Sequence, residues 1–382
     1  MAEYKTLVKK IPVSPDKKTK QKDYLKKGRL PIVDQGQSLV GGYTDDANMT
    51  VECELPVIVF GDHTRAVKYI TFPFGAGADG IKVLQPKENI LPLFLYYATQ
   101  YIVAKMPNRG YARHYQYVEK EDLPVPPLPE QERIVARIEE LFSQLDAGVE
   151  TLKKTKAQLA VYRQAVLKEA FNSAEVDCKM LPIAEILTKT RKGMSTGPFG
   201  TMIKKSDHKA TGVPMLGIEN IGRGQFVDGN KIYVTAEKAE ELKAFSLKAG
   251  DIIISRSGTV GEICAVPERA EGSLLSTNLM RVSLDNTMIR SDYFIALFQS
   301  KGIVLDQIKE LCKGSTRDFL NQTILKQIVF PVPSMEKQEE IVSIIEARMS
   351  VCDSIEQTVD TALQQAEAMR QSILTQAFGG AL

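Results

Sequence analysis

The sequence is poor in several residue types, and each shortage excludes a class of protein. It contains no tryptophan, only three histidines and five cysteines among 382 residues. The cysteines are scattered, odd in number and without a Cys-x-x-Cys pair, so neither a disulfide framework nor a zinc site is predicted. No run of 18 apolar residues occurs and the N-terminus lacks the apolar core of a signal peptide. We therefore expect a cytoplasmic protein without a membrane segment.

Sequence motifs for catalysis are also missing. There is no Asn-Pro-Pro-aromatic or Asp-Pro-Pro-Tyr element of an amino-methyltransferase, no glycine-rich loop for adenosylmethionine and no Walker-type phosphate loop. The nearest nuclease-like motif is Glu241-Leu242-Lys243 with Asp228 upstream, and its charged helical surroundings indicate a solvated helix face. The composition and the motifs together favour a binding protein over an enzyme.

Charge is distributed unevenly, although the formal net charge is only +2. Residues 1–30 hold nine lysines and Arg29 against three acidic residues, together with the turn-forming Pro12, Pro15 and Gly28. A basic, turn-rich segment suits contact with a phosphate backbone. The alternative is a solvated or frayed N-terminal segment that binds nothing.

One segment of the chain occurs twice. Residues 124–171 align without a gap with residues 331–378, which lie 207 positions later. Such duplication predicts a molecule that performs one task twice. Matched pairs run from one end of the segment to the other: Pro124/Pro331, Gln131/Gln338, Glu132/Glu339, Ile138/Ile345, Asp146/Asp353, Arg163/Arg370, Leu167/Leu374 and Phe171/Phe378.

Each copy of the segment predicts one long helix. Both copies open with Pro-Val-Pro, which favours an extended entry, and no proline follows Pro129 or Pro333 within them. Apolar or small residues then recur in a 4-3 alternation, which is the pattern of a coiled-coil seam. The predicted seam positions are 134, 138, 141, 145, 148, 152, 155, 159, 162 and 166 in the first copy, and 341, 345, 348, 352, 355, 359, 362, 366, 369 and 373 in the second.

We expect the two helices to pack on each other. Each has roughly 40 residues and a length of about 60 Å at 1.5 Å per residue, and neither apolar seam is suited to water alone. Two copies related by a pseudo-twofold axis run antiparallel. The alternative is a pair of ordinary core helices in a large α-rich domain, but a gapless repeat of this length favours the paired arrangement.

The two blocks outside the repeats have short apolar runs punctuated by glycine and proline, which predicts strands. Features follow in the same order in both blocks, and each block ends with a short helical stretch (91–101 and 292–300) and a basic loop (108–114 and 313–318). The sequences of the two blocks have diverged more than those of the two helices. This is the pattern expected of two modules with different binding specificities on similar helical scaffolds. The strand candidates are 31–33, 57–60, 67–71 and 81–84 in the first block, and 214–218, 251–255, 263–266 and 279–284 in the second.

These features resemble the specificity subunit of Type I restriction-modification systems over essentially the full length. The resemblance is carried by Pro-Val-Pro-Pro-Leu-Pro-Glu-Gln-Glu-Arg-Ile-Val at 124–135 and its counterpart at 331–342. Further similarity lies at 31–46 and in Gly-Pro-Phe-Gly-Thr at 197–201. The resemblance implies an α+β chain with two similar α/β target-recognition domains, joined by two long helices that form an antiparallel, pseudo-twofold coiled coil.

The resemblance also implies domain boundaries, partners and cofactors. The predicted segments are target-recognition domain 1 (1–123), spacer helix 1 (124–177), target-recognition domain 2 (178–330) and spacer helix 2 (331–382). Double-stranded DNA, two modification (methyltransferase) subunits and restriction/translocase subunits are the implied partners. No cofactor is expected in this chain, since S-adenosylmethionine, ATP and magnesium are expected in the partner subunits. No metal site and no catalytic residue is predicted here.

Candidate DNA-contacting residues come from the basic N-terminus and from the loops of both blocks. Arginine suits guanine edges, glutamine suits adenine, and lysines and small hydroxyls suit phosphates. Two alternatives stay open: a DNA methylase or nuclease with its own active site, and a coiled-coil adaptor that does not bind DNA. The candidates are Lys17, Lys18, Lys20, Gln35, Gln37, Arg109, Arg113, His114, Ser195, Thr196, Lys204, Arg256, Ser257, Thr259, Lys313 and Arg317.

Overall fold

The chain divides into two units in a computed structural model. The first unit comprises Met1–Lys154 and Val359–Leu382, and the second comprises Thr155–Thr358. The structure describes residues 1–77, 80–107, 110–172, 178–258, 260–300, 302–312 and 320–380, without the side chains of Thr201 and Cys312.

The first unit is built on two small sheets and a two-strand ladder. One sheet has the antiparallel order β2-β9-β6-β7, the other has the order β3-β8-β4-β5 with β8 parallel to both neighbours, and β1 pairs with β10. Its strands are β1 (Ala2–Glu3), β2 (Val8–Ile11), β3 (Lys18–Thr19), β4 (Leu30–Val33), β5 (Gly42–Thr44), β6 (Val57–Gly61), β7 (Val67–Ile70), β8 (Gly75–Gly77), β9 (Ile81–Pro86) and β10 (Asp122–Leu123). Its helices are α1 (Tyr4–Leu7), α2 (Pro92–Lys105), α3 (Tyr115–Val118) and the start of α4 (Leu128–Asn172).

The second unit repeats this construction. One sheet has the antiparallel order β12-β20-β17-β18, another has the order β16-β13-β19, and β11 pairs with β21. Its strands are β11 (Lys179–Pro182), β12 (Met194–Thr196), β13 (Val213–Leu216), β14 (Ile221–Gly222), β15 (Gln225–Phe226), β16 (Ile232–Val234), β17 (Ile252–Ser255), β18 (Ile263–Ala265), β19 (Leu274–Leu275), β20 (Leu279–Val282) and β21 (Val329–Val332). Its helices are α5 (Ile183–Ile186), α6 (Ala236–Glu241), α7 (Ser291–Gln299), α8 (Val304–Cys312), α9 (Gln322–Gln327) and the start of α10 (Met335–Phe378).

The two units share most of their strand connectivity, although, within the described residues, β3 has no counterpart in the second unit and the β14-β15 pair has none in the first. The hairpin β6-β7 and the central strand β9 correspond to β17-β18 and β20, and β2 corresponds to β12 at the sheet edge. In the other sheets, β4 pairs antiparallel with β5 and parallel with β8, as β13 does with β16 and β19. All eight strand candidates and both short helices predicted from the sequence are present, with ends shifted by a few residues.

The basic N-terminal segment belongs to the core of the first unit. Tyr4 is fully buried and its hydroxyl lies 2.8 Å from the hydroxyl oxygen of Thr99. Burial raises the pKa of the Tyr4 phenol well above its usual range. Val8 is also buried, and its strand pairs with β9. The alternative of a frayed segment is therefore wrong, because residues 2–11 form β1, α1 and β2.

The long helices α4 and α10 pack on each other with opposite direction within the second unit. Arg163 of α4 lies 2.7 Å from Asp353 of α10, and Glu169, further along α4, lies 2.5 Å from Arg348, which precedes Asp353. Leu167 and Phe171 of α4 join Ile341 and Ile345 of α10 in one hydrophobic core. The two helices are therefore antiparallel in this unit.

The first unit contains the complementary halves of the same two helices. Ile138 and Phe142 of α4 share a core with Leu374 and Phe378 of α10. The guanidinium of Arg370 in α10 forms an ion pair with Asp146 and lies 4.3 Å from the ring centre of Phe142. The early part of α4 thus packs on the late part of α10, as the antiparallel prediction requires.

The predicted seam is correct over most of its length and wrong at matching positions of the two copies. Tyr162 and Met369, which are equivalent, are about half exposed, and the following Arg163 and Arg370 pair with the opposite helix instead. Gly148 and Ile355 are exposed as well. A straight α-helix drifts by about 20° per heptad from a strict 3.5-residue repeat, so the contacting stripe moves to the next residue.

A buried glutamine joins each long helix to the block that precedes it. Gln131 is fully buried at the start of α4, and its amide oxygen accepts a hydrogen bond from the Leu91 backbone amide at 2.8 Å. Its amide nitrogen donates to the carbonyl oxygens of Asn89 (3.0 Å) and Pro126 (2.9 Å). Three otherwise unpaired backbone groups are thereby satisfied, which fixes the start of α2 against α4.

The equivalent Gln338 repeats the arrangement in the second unit. Its amide oxygen accepts from the Arg290 backbone amide at 2.9 Å, and its nitrogen donates to Met288 and Pro333. The last aromatic residue of each long helix packs on the short helix to which the glutamine of the other long helix is bound. Phe378 packs on Phe94 of α2, and Phe171 packs on Tyr293 of α7.

Candidate nucleic-acid interface

In the first unit, the loop between β6 and β7 organises the surroundings of α3. The Asp62 carbonyl oxygen accepts from the backbone amide of His114 (2.8 Å) and from His114 Nδ1 (3.0 Å). The Asp62 carboxylate is buried, accepts from the Tyr115 amide at 2.9 Å and lies 3.4 Å from Lys82 Nζ. These bonds attach the chain at 110–115 to the end of the β6-β7 hairpin.

The same hairpin is attached to the loop that follows β4. The Thr64 hydroxyl donates to the carbonyl oxygen of Gln35, and Lys68 Nζ donates to the carbonyl oxygen of Asp34 at 2.7 Å. Burial lowers the pKa of Lys68, and the nearby Asp34 carboxylate opposes this effect. Because β3, β8 and β4 are parallel, their carboxyl ends lie at one edge of the sheet. Lys20, which follows β3, is therefore at the same edge as Gln35.

The structure thus brings three segments together, which we call the first loop cluster: residues 34–37, 62–65 and 110–113. Gln37 and Arg113 are exposed within it, and Gln35 is half-buried. Tyr111 is 82% exposed and stacks on His63 with ring centres 4.2 Å apart. A cation, amides and an aromatic ring on one surface have the chemistry needed to contact base edges.

The N-terminal lysines lie beside this edge but differ in environment. Lys17 Nζ lies 2.6 Å from the Glu52 carboxylate, which partly neutralises it. Lys18 is half-buried in β3, opposite Ala76, and Lys20 is exposed. Of these three lysines, Lys20 is therefore the best placed to contact a phosphate.

In the second unit, the equivalent hairpin β17-β18 makes the equivalent attachment. The Arg256 carbonyl oxygen accepts from the Leu320 amide at 3.0 Å, and Arg256 Nε donates to the Leu320 carbonyl oxygen at 3.2 Å. Arg256 Nη1 donates to the carbonyl oxygen of Thr277 at 3.2 Å. Leu320 lies two residues before α9, and His114 directly precedes α3. Arg256 therefore holds three segments together, and burial lowers the pKa of its guanidinium.

Neighbouring segments complete what we call the second loop cluster: residues 196–199, 256–258 and 277–278. The Ser257 hydroxyl lies 3.4 Å from the side-chain oxygen of Asn278. Gly197 donates its amide to Leu279, and a Cβ at Gly197 would lie only 1.9 Å from the Ser276 carbonyl oxygen, so only glycine permits this approach. Phe199, next in the segment, is 65% exposed.

The sequence-predicted residues divide into those that reach the loop clusters and those that do not. Gln35, Gln37, Arg113, Thr196, Arg256 and Ser257 lie in the two clusters. Lys204 is exposed at a short turn whose amide binds Asp207, away from the contacts that join the second cluster. Predictions that fall outside the described residues are Arg109, Thr259, Lys313 and Arg317.

Two predicted contacts do not fit the structure. His114 is fully buried, since its ring binds the Asp62 carbonyl oxygen and the following Tyr115 and Val118 pack into the core. Ser195 is 5% exposed within β12, and its hydroxyl donates to the Thr196 carbonyl oxygen at 3.2 Å. The prediction that these two side chains face DNA is therefore wrong for this conformation.

Sequence reasoning also missed residues that build the first loop cluster. His63 and Tyr111 lie 48 positions apart and carry no spacing signal, so their stacking was invisible before the fold was known. Asp62 precedes His63 directly after a strand, which is a common place for functional side chains. That signal was present in the sequence but is not specific.

The described part of the chain shows neither a candidate metal site nor a candidate membrane span. No group of three or more histidine, cysteine, aspartate or glutamate residues there is arranged to hold a metal ion. Within the same residues, no helix is long and apolar enough to cross a membrane.

Comparison with known proteins identifies the family. The model described as "Type I restriction modification DNA specificity domain" matches residues 10–160 and 185–365, so the chain belongs to this family. It is 26% identical over 370 residues to the Type I restriction enzyme EcoBI specificity subunit of Escherichia coli, covering 91% of this chain and 74% of that protein.

Two further matches extend this finding. The chain is 27% identical over 279 residues to the EcoKI specificity subunit of Escherichia coli strain K12, and this match spans 68% of the chain but 58% of that relative. A solved chain from a study of complex assembly and conformational transition of the type I R-M system superimposes with a TM-score of 0.67 at 16% identity. It covers 100% of this chain and 97% of the other, which supports the fold alone.

Proposed function

We propose that this chain is the DNA-reading specificity subunit of a Type I restriction-modification complex. Each unit reads one half of a bipartite, asymmetric target, and the chain docks methyltransferase and restriction subunits. Methylation, cleavage and the binding of S-adenosylmethionine, ATP and magnesium belong to those partners. The chain itself is a non-catalytic recognition subunit, and this assignment rests on membership of the family.

One observation carries the proposal: both units use the same scaffold to present different loops. The hairpins β6-β7 and β17-β18 each bind a residue within two positions of the start of a short helix, through Asp62 with His114 and through Arg256 with Leu320. The side chains exposed around these anchors differ between the units. A shared frame with different loops is what two distinct half-site specificities require.

Contacts to phosphates and contacts to base edges are assigned to different residues. Lys20, with weaker contributions from Lys17 and Lys18, contacts phosphates and supplies affinity that depends on salt. Gln37 and Arg113 in the first cluster, and Thr196 and Ser257 in the second, contact base edges or adjacent phosphates and set the sequence. The predicted contacts of Arg109, Thr259, Lys313 and Arg317 remain proposals of the same kind.

The test is a methylation map of a host that carries the complete system. With the intact gene, methylated adenines fall in a single bipartite motif, and deletion of the gene removes them. Arg113→Ala relaxes the motif in one half only. Arg269→Ala is the matched control, because Arg269 is exposed in the second unit and paired with Asp228 outside both loop clusters. If Arg113→Ala instead lowers methylation equally at both halves and leaves the sequence preference unchanged, the modular assignment is contradicted.

A further inference from the structure

Tyr111 is an exposed aromatic ring held in a fixed orientation. It is 82% exposed, yet its ring is nearly coplanar with that of His63, at an interplanar angle of 5° and a centre-to-centre distance of 4.2 Å. Single exposed apolar residues are common on protein surfaces and need no explanation. A ring that is both exposed and stacked on a second ring is a different case, because its position is restricted without burial.

Hydrogen bonds fix both members of the stack. His63 Nδ1 donates to the carbonyl oxygen of Ala112 at 3.2 Å, so the imidazole is attached to the residue that follows Tyr111. The Ala112 amide donates to the Gly110 carbonyl oxygen at 2.9 Å, which closes a three-residue turn centred on Tyr111. Gly110 has φ +65°, a conformation that favours glycine. The ring therefore loses little conformational entropy when it contacts a ligand.

The position of the ring points to base pairs rather than to phosphates. Tyr111 lies two residues from the exposed Arg113 in the first loop cluster, and guanidinium groups suit guanine edges in the major groove. His63 covers one face of the ring, leaving the other face and the edge exposed. Intercalation between two base pairs needs both faces, so this stacked ring is suited to lateral contact instead. The apolar feature that a base pair presents laterally in the major groove is the thymine 5-methyl group.

We propose that Tyr111 is a specificity-determining residue that contacts a thymine methyl group in the target of the first unit, and that His63 is the residue that positions it. The inference rests on the proposed DNA-reading function and deepens it. Arg113 and Tyr111 then read neighbouring base pairs, one through hydrogen bonds and the other through an apolar contact.

The test replaces each thymine of the mapped target by deoxyuridine, one at a time, which removes only the methyl group. Binding is measured with the complex of this chain and its modification subunits. At one thymine, the wild-type complex loses about fourfold in affinity, the equivalent of one buried methyl-sized group. Tyr111→Ala binds the thymine target as weakly as wild type binds the deoxyuridine target, and deoxyuridine weakens it no further.

Three variants separate contact from positioning. Tyr111→Phe keeps the ring and retains the sensitivity to deoxyuridine. His63→Ala reduces that sensitivity, whereas His63→Phe, which restores an aromatic stacking partner, recovers much of it. Tyr162→Ala is the matched control, since Tyr162 is an exposed aromatic of α4 outside both loop clusters and its loss leaves the sensitivity to deoxyuridine unchanged.

Several results overturn the inference without touching the proposed function. They are a target without a thymine in the half read by the first unit, equal deoxyuridine sensitivity in wild type and Tyr111→Ala, and an equal loss by Tyr111→Ala on specific and random DNA. A wild-type complex that shows no sequence preference contradicts the proposed function itself.

Discussion

Arg163 Nη2 lies 2.7 Å from Asp353 Oδ1, and the residues equivalent to this pair, Arg370 and Asp146, form an ion pair of their own. Each arginine thus binds the aspartate of the opposite repeat. A reciprocal contact of this kind is what a pseudo-twofold, antiparallel helix pair requires, since residue i meets residue j and j meets i. The equivalence visible in the aligned sequences is therefore also an equivalence of contacts.

The two ion pairs should differ in their contribution to stability. Arg163 also lies 2.9 Å from Glu356 and is 17% exposed, whereas Arg370, the arginine of the other pair, is 33% exposed. Exposed pairs contribute about 0.2–1 kcal/mol, and networks with lower exposure contribute more. We expect Arg163→Ala to lower the denaturation midpoint further than Asp146→Ala does. A double-mutant cycle of Arg163 with Glu356 checks the assignment, and zero coupling energy contradicts it.

Acid should weaken the helix pair of the second unit through two glutamates. The hydrogen-bonded Arg223, followed by Arg163 and Lys156, lowers the pKa of Glu356, and Arg348 lowers the pKa of Glu169. A carboxylate with a depressed folded pKa contributes stability above its unfolded value of about 4.3, and this contribution is lost as pH falls through the folded value.

Thermal denaturation between pH 7 and pH 3 measures this effect. Glu356→Gln lowers the midpoint at pH 7 and makes the acid side of the profile flatter, because the ionised group is already absent. Glu340→Gln is the control, since Glu340 pairs with Lys337 on its own helix. A Glu356→Gln profile parallel to that of wild type contradicts the assignment.

Gln131→Ala and Gln338→Ala should both be strongly destabilising. Each removes three hydrogen bonds from a fully buried amide and leaves backbone groups without partners. An unsatisfied buried group costs about 1–3 kcal/mol, so we expect a loss of at least about 2 kcal/mol from either change. Amide hydrogen exchange gives a local readout: Leu91 loses protection in Gln131→Ala only, and Arg290 in Gln338→Ala only. Loss of protection at both amides in either variant contradicts this separation.

Much of the scaffold could be predicted because its signals are local. The strand β17 is a run of three isoleucines followed by Ser255, and the repeat at 124–171 predicts helices with apolar seams. Strand order could not be predicted, since the parallel pairing of β4 with β8 joins residues more than 40 positions apart. The seam failed at Tyr162 and Met369 because helical drift moves the contact stripe by a fraction of a residue that a strict heptad frame ignores.

The candidate site was less predictable for a different reason. Residue type favoured His114 as a DNA contact, but the bond from His114 to the Asp62 carbonyl oxygen makes it part of the core. Tyr111 became a candidate only through its stacking on His63. Exposure and orientation of loop side chains depend on long-range contacts, and sequence pattern reports those weakly.

Arg256 and Arg113 are predicted to play opposite parts in their loop clusters. Arg256 donates to the carbonyl oxygens of Leu320 and Thr277, so Arg256→Ala leaves both with one fewer donor and should destabilise the second unit by about 1–3 kcal/mol. Arg113 is exposed, so Arg113→Ala should leave the denaturation midpoint within about 0.5 kcal/mol of wild type. Denaturation curves of the two variants decide this, and equal stability of both contradicts a structural role for Arg256.

Lys20 should contribute to the salt dependence of DNA binding, and Lys17 less so. Lys20 is exposed at the edge where β3 ends, whereas the ammonium of Lys17 is 2.6 Å from the Glu52 carboxylate. One phosphate contact contributes about 0.9 to the slope of log affinity against log salt concentration. Lys20→Ala should therefore reduce that slope by about 0.9 on specific and random DNA alike, with an unchanged methylation motif. Lys17→Ala should reduce it less, and Glu52→Gln, which frees Lys17, should increase it. An unchanged slope in Lys20→Ala places the phosphate contacts elsewhere, and a changed motif shows that Lys20 reads bases.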